Sequence, residues 1–488
     1  MSFLDHKIPP VREHRHPETA LAHGGTIAGH GRGGLCGVSP QASRSFTQGS
    51  ICPLLPALGI MCSLPETVVI LHGAVGCGTC AAGNNTNVRA GRASRGAPGS
   101  DAMWLSTALD EISVINGGDG RLEAAIVEAD RELSPRVILA VSGCLPGVIG
   151  DDIDAAAARA QERVAARVLP VHCEGFRSRF MATAYDVVYH ALGRHLLPDP
   201  GAGGERLPRT VNVMNVGSMG LADEDELGRL LAELGLEANF IPVFAHPGNL
   251  ALATRAALSV SVCPTHDDYF LRHLEEKYGV PYVIKHMPIG LANTSSWLAD
   301  VGQAMGLGRE AKRLAGREEA EARRALGEFR EAFRGKRAFL SAGEYRSLAT
   351  ASLLRELGFE ISGIRSFHFD AFAEVEMEKL GRGEDFVFNV ANVQPFEEAN
   401  LLGRLRPDVF LGHWHGNSTA ARMGIPSQVM YNGGYSYMGF RGAFDLARRL
   451  RRRLAHPQFY QRLGRYGRLP YRGEWFREEP FSHIRTTG

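Results

Sequence analysis

The sequence predicts an α/β protein of three doubly wound domains, with parallel sheets set around a central crevice. Two observations carry the prediction. Buried apolar runs of strand length recur along the chain, each ending in a glycine- or proline-rich turn and followed by a segment of helical period. Three of those turns carry a cysteine: TVVILHGAVGCGTC with Cys77 and Cys80, RVILAVSGCLPGVIGDD with Cys144, and LSVSVCPTHDDYF with Cys263. The carboxyl edges of parallel strands are where an open α/β sheet places its ligands.

Bulk composition agrees. A chain of 488 residues, 44% hydrophobic with 57 glycines, has apolar material for several cores. A net charge of +1 lacks the basic excess that a dedicated nucleic-acid or membrane-surface binder needs. No apolar run reaches the roughly 18 residues of a membrane span, and the first residues lack a signal-peptide pattern. The expected location is the cytoplasm, where eight cysteines are metal ligands, reactive thiols or small core residues rather than disulfides.

In chain order, residues 1–48 show no sustained period and read as an arm that orders only against the body or a partner. Domain I, 49–205, takes strands at 67–73 and 136–142 and helices near 122–133 and 153–167, with Asp151 and Asp152 as N-cap candidates for the second helix. The Gly/Pro segment 196–208 closes it. Domain II, 206–334, takes strands at 209–217, 238–244, 258–262 and 281–285. Thr265 and Asp268 read as a capping box after Cys263, and Gly279 as the helix stop. The charge-interleaved helix that ends the domain reads as a solvated connector. Domain III, 335–488, opens with strand, loop, helix and strand, and continues through EDFVFNVAN and PDVFLG. The arginines of 448–468 fall around Leu450 and Leu454, the pattern of an amphipathic helix rather than of a nucleic-acid patch.

Cys77 and Cys80 form a C-x-x-C, but no second close pair completes a zinc ribbon, and the glycine run lacks the activation signs of a redox pair. Iron–sulfur ligation by cysteines on separate turns fits better, because clusters take thiolates wherever a fold converges. Cys36, Cys62, Cys80 and Cys173 read as small core or loop residues.

These motifs carry a resemblance. Cys52, HGAVGCG, GGDGRLEAAI, SGCLPGVIGDDI, VHCEGFRS, SVCPTHDDYFLRHLEEKYGVPY, GKRAFLSAGEYR and RPDVFLG…MGIPSQVMYNGGYSYMGFRGAFDLARRL stand in the order of the α-subunit of nitrogenase component 1 and its relatives. The resemblance implies three Rossmann-like domains, an α2β2 heterotetramer with a homologous β-subunit, and single electrons from an ATP-hydrolysing iron protein. By position it implies that Cys52, Cys77 and Cys144 are the α-side ligands of an [8Fe-7S] P-cluster shared with the β-subunit. Cys263 matches the lone thiolate of a nitrogenase-type iron–sulfur–carbide cofactor, and Arg346 an arginine beside it.

The chain also departs from the family. Tyr431 falls where a histidine holds the cofactor's molybdenum end, which puts a heterometal and homocitrate in doubt. Met181 and Tyr185 stand near the places of a glutamine and a histidine that face the cofactor, and Asn85 replaces an arginine. His368, His413 and His415 sit at strand ends within reach of the crevice. His368 joins Cys263 and Arg346 as a catalytic candidate, although hydrogen-bonded turns are the simpler account of each histidine. Among the relatives, methylthio-alkane reductases look closest; they cleave C–S bonds reductively, for example dimethyl sulfide to methanethiol and a hydrocarbon. The alternatives are a true nitrogenase α-subunit and a non-catalytic scaffold on which the cofactor matures. The protochlorophyllide reductases, a further relative, have no need of Cys263.

Overall fold

The computed structural model describes residues 2–27, 41–48, 52–82, 85–96, 103–202, 204–381, 385–412, 414–430 and 434–485. Three sheets organise them. The first is all parallel, in the order Met103–Ser106, Thr67–His72, Val137–Ser142, Arg167–His172. Every residue of its two central strands is buried, as expected of a sheet covered on both faces. Two of these strands went unread in the sequence. The helix expected over 153–167 stops at Gln161, and RVLPVH forms an edge strand whose Pro170 and flanking charge hide the apolar run.

The second sheet, also parallel, runs Tyr282–Val283, Ala256–Val260, Leu207–Asn215, Glu237–Pro242. The strand expected over 281–285 shrinks to two residues at the sheet edge. The third sheet has six strands: Ala22–Thr26, Val387–Ala391, Glu360–Ser366, Arg337–Ala342, Val409–Gly412 and Ser427–Val429. Its last five strands are parallel and the first is antiparallel. The fold is thus α/β, with Rossmann-like parallel sheets.

The antiparallel edge strand comes from the arm. AHGGT carries no legible period, yet its backbone pairs from Ala22 with Ala391 to Thr26 with Val387. Gly24 is required there, because the Phe481 ring occupies the place of a Cβ, with Cγ 2.2 Å away. Ser43–Arg44 then pairs with Ile484–Arg485.

The arm's short helix Arg12–Arg15 reaches deepest. Arg12, with none of its surface exposed, donates to Asp268 Oδ1 (2.8 Å) and Asp370 Oδ2 (3.1 Å). Arg15 donates to Asp186 (2.8 Å) and Asp268 (2.8 Å), and His16 Nε2 lies 2.8 Å from Asp268. The three aspartates follow different sheets, so one turn of helix ties all three units together. Burial alone would raise the Asp268 carboxyl, but Arg12 and Arg15 hold it well below the usual range.

The long helix Gly308–Phe333 is not a solvated connector. Leu314, Leu326, Phe329 and Phe333 are buried where it packs against Leu291–Ala304 and Gly439–Ala455, while its charged residues face out. Gly439–Ala455 and Gln458–Tyr466 are the amphipathic helices expected of the basic run; Leu446 and Leu450 are buried and Arg451 and Arg452 exposed. Among the described residues no helix is long and apolar enough to cross a membrane.

Candidate thiolate sites

Two sites emerge, both at carboxyl edges of parallel strands. At the first, strand Thr67–His72 leads into helix Val75–Ala82, which carries Cys77 and, one turn on, Cys80. Strand Val137–Ser142 leads through Gly143 into helix Cys144–Ile149, so Cys144 is the first residue of a helix rather than part of an open turn. Cys52 precedes helix Leu54–Ser63.

Gly175 lies between two of the sulfurs. A Cβ there would stand 2.6 Å from Cys52 Sγ and 3.3 Å from Cys144 Sγ, so its absence leaves the space into which both thiols point. Burial pushes the Cys52 and Cys77 thiols up, and each is pushed further by Cys144 and Cys80 nearby. An activated thiol needs the opposite shift, which Cys77 does not show. The structure therefore gathers Cys52, Cys77 and Cys144. It also brings Cys80 within their electrostatic reach, at an exposed position that the i, i+3 spacing on one helix could have signalled. Cys173, fully buried close behind, is pushed up strongly by burial.

Val75, Ile112, Ile115, Val148 and Phe176 are exposed on the helices and turn that carry or flank these cysteines, Ile115 at 81% and Val148 at 73%. The Ile112–Ile115 helix touches the Cys144 helix, and Phe176 abuts Gly147. A half-exposed thiol group thus sits inside an exposed apolar patch.

The second site is a cavity of about 170 Å³ beside Cys263. Cys263 is the N-cap of helix Pro264–Tyr278, at an extended backbone (φ −146°, ψ 90°). Thr265 and Asp268 do not form the expected capping box: the Thr265 hydroxyl donates to Glu344 Oε1 (2.6 Å) and Asp268 is engaged by the arm. The holding group is Asp267, whose Oδ2 accepts from the backbone N–H of Cys263 (2.8 Å) and Val262 (2.9 Å) and from the Ser261 hydroxyl (2.7 Å). Gly279 ends the helix in a left-handed conformation (φ 64°), as expected. Of the two N-cap candidates for helix Ile153–Gln161, Asp152 is the cap; Asp151 instead binds His72 Nε2 (3.0 Å) and the Gly118 N–H (2.9 Å).

Burial drives the Cys263 thiol far up although Arg346 opposes it, so the sulfur stays protonated unless a metal displaces the proton. Arg346 lies on helix Glu344–Glu356 with Nη1 on the Tyr437 hydroxyl (2.7 Å) and the Ser218 hydroxyl, and its guanidinium stands 5.2 Å over the Tyr437 ring. Neither Tyr437 nor Ser218 carried a signal in the sequence.

His368 does not line the cavity. It stands 3.3 Å behind Glu344, which does, and 4.0 Å from Asp370. Burial alone would raise the Glu344 carboxyl, but His368 holds it down at about 2; in return Glu344 raises His368 against burial. Glu344, His368 and Asp370 lie close enough together for a cation, yet the Arg12 guanidinium already neutralises Asp370. The trio is a charge-balanced strut.

Sequence reading missed His266. One turn after Cys263, its ring lines the cavity and stacks on Tyr185 at 3.9 Å and 7°. Burial, aided by Arg346, lowers its pKa to about 3, so the imidazole is neutral. Met181, Ile60 and Phe244 supply apolar wall. Tyr431, His413 and Cys36 lie outside the described residues, as do the side chains of Asn85 and His415.

The family described as "Nitrogenase component 1 type Oxidoreductase" matches residues 52–455. The chain is 24% identical over 471 residues to the nitrogenase molybdenum-iron protein alpha chain of Methanosarcina barkeri, covering 84% of this chain and 86% of that one. It is 26% identical over 441 residues to the nitrogenase iron-molybdenum cofactor biosynthesis protein NifE of Nostoc sp. PCC 7120, covering 87% and 86%. Among solved structures, "Nitrogenase Cp1 at pH 5" superposes with a TM-score of 0.72 at 22% identity, over 86% of this chain and 91% of that chain.

Proposed function

This chain belongs to the nitrogenase component 1 type oxidoreductases, as an α-type subunit, and from that premise we propose that it is the catalytic subunit of an ATP-driven reductase that cleaves methylthio-alkanes. The carrying observation is the Cys263 cavity: one buried thiol, one guanidinium, one carboxylate and one neutral imidazole beside an apolar wall of Ile60, Val88, Met181, Phe244 and Phe367. Such a wall suits a small uncharged thioether.

The donor sets fit the groups that the family resemblance implies. Cys52, Cys77 and Cys144 offer soft thiolates around a space kept open by Gly175, and three cysteines of one chain cannot complete an eight-iron cluster. A β-type partner would supply the rest and cover the apolar patch, giving an α2β2 assembly served by an ATP-dependent iron protein. Cys263 would hold the iron–sulfur–carbide cofactor, which when bound supplies the electrons and the site of reduction. Asp267 fixes the Cys263 loop through three hydrogen bonds, Arg346 offers positive charge to an electron-rich group, and the apolar side chains exclude water. Dimethyl sulfide, two electrons and two protons then give methanethiol and methane, one C–S bond breaking while one S–H and one C–H bond form.

The test is turnover of dimethyl sulfide by the chain with its β-type partner, iron protein and ATP. Equimolar methanethiol and methane are expected. No product, together with transfer of the bound cluster to a cluster-free nitrogenase, would move the reading to a maturation scaffold, which the similarity to NifE favours as the second reading.

A further inference from the structure

Most buried histidines of this chain have evident partners. His72 uses Thr107 (3.1 Å) and Asp151 (3.0 Å), and His190 Nδ1 meets the Tyr269 hydroxyl (2.8 Å), although its Nε2 is buried with no hydrogen-bond partner among the described residues and the ring lies outside the Cys263 cavity. His273 lacks side-chain partners, but its ring is pressed against the Gly193 backbone and lines no cavity. His266 differs from all of these. Its Nδ1 is sealed from solvent with no hydrogen-bond partner among the described residues, while its ring forms part of the wall beside Cys263. An imidazole has one N–H to give and one lone pair to offer, and leaving such a group unsatisfied in a protein interior is costly.

The ring is also held in place. Face-to-face stacking on Tyr185 fixes its plane, and its backbone N–H donates to the Cys263 carbonyl (2.9 Å) in the first turn of the helix. Sulfur and imidazole therefore leave the same helix turn toward the same space. A residue whose only task is packing needs no nitrogen there.

We infer that His266 is a cofactor-contacting residue, the second anchor beside Cys263, giving a contact from Nε2, the ring nitrogen that is not sealed, to the iron–sulfur group bound in this cavity. The inference rests on the function proposed above, since it names a further residue of that same site. It places the contact on the Cys263 helix itself, so one element carries both the thiolate and the nitrogen, and Tyr185 acts through His266 as a positioning residue.

Pulsed electron paramagnetic resonance on the assembled complex, with and without 15N-histidine, tests it. Expected is a nitrogen modulation that changes on labelling and disappears in His266→Phe, with iron per chain unchanged and cavity iron leaving to a chelator about tenfold faster, the scale of one lost contact. A labelling-sensitive signal that persists in His266→Phe would overturn the assignment, as would its absence from a fully iron-loaded wild type. His266→Gln is the second variant should the phenylalanine fail to fold; it too must lose the histidine-specific signal. A wild type that binds iron at the Cys52 group and none at Cys263 would sink the underlying function as well, and iron analysis separates that failure from the others.

Discussion

The two thiolate sites contrast in how completely one chain builds them. At Cys263 the residue is 4% exposed and this chain surrounds it with Asp267 for the loop, Arg346 for charge and the Tyr185–His266 stack for shape. At Cys52, Cys77 and Cys144 the sulfurs are half-exposed within a rim of exposed apolar residues. One site is enclosed by this chain, and the other lies open at its surface. Burial decides which residues each needs: a sealed site has no water to satisfy its polar groups and must use its own chain or the group it binds, whereas an interfacial one can leave apolar side chains bare until assembly.

The largest effects should separate the sites outright. Cys263→Ser is expected to lose all cavity iron and all substrate reduction while retaining the iron of the Cys52 group; Cys144→Ala is expected to lose the iron of the Cys52 group and electron delivery, keep the cavity iron, and weaken assembly with the β-type partner. Iron per chain and analytical ultracentrifugation of each complex measure this, and equal losses at both sites in either variant would erase the distinction.

Next in size is the arginine clamp. Asp268→Asn leaves two buried guanidinium groups short of a charge, a defect of about 3–5 kcal/mol, and the denaturation midpoint should fall accordingly. Because Asp268 shares the helix of Cys263, cavity iron should become more labile than rim iron.

A smaller perturbation probes the rim alone. Gly175→Ala puts a methyl group 2.6 Å from Cys52 Sγ, so the thiols must move apart, and rim iron should drop several-fold with cavity iron untouched. An alanine variant with unchanged iron at both sites would show that the gap beside Gly175 has no bearing on binding.

The smallest effect is a pH dependence next to the rim. His172 lies 2.8 Å from Asp154 and 3.5 Å from Glu174. Burial works against its proton, but the two carboxylates prevail and raise its pKa from 6.5 to about 9. A raised folded-state pKa means stabilisation that is complete below 6.5 and is lost as pH rises through about 9. Thermal melts between about pH 6 and about 10 should show that decline in the wild type and a flatter curve for His172→Gln.

The strands that carry the cysteines were legible because a buried parallel strand is a continuous apolar run, and Val68 to Leu71 or Val137 to Val141 leave little choice. Ala22–Thr26 and Arg167–His172 were hidden, since edge strands are held by backbone pairing that side chains do not advertise. The cysteines themselves could be picked out one by one. Their grouping came only from the family resemblance and not from local pattern, because Cys52, Cys144 and Gly175 meet through tertiary packing. Capping was misassigned for the same reason: Asp268 satisfies local spacing, but two arginines more than 250 positions away claim it. His266 went unnoticed because nothing local distinguishes an unpartnered histidine from a partnered one.

The arm has a consequence in time. Arg12 finds Asp370, and Ala22–Thr26 finds Val387–Ala391, only after most of the chain has left the ribosome. A segment made before its partners can meet Asp186 early, but it completes its contacts with the second and third sheets only once those parts of the chain exist. An early segment thus fastens to late ones, and until they are made those contacts are missing.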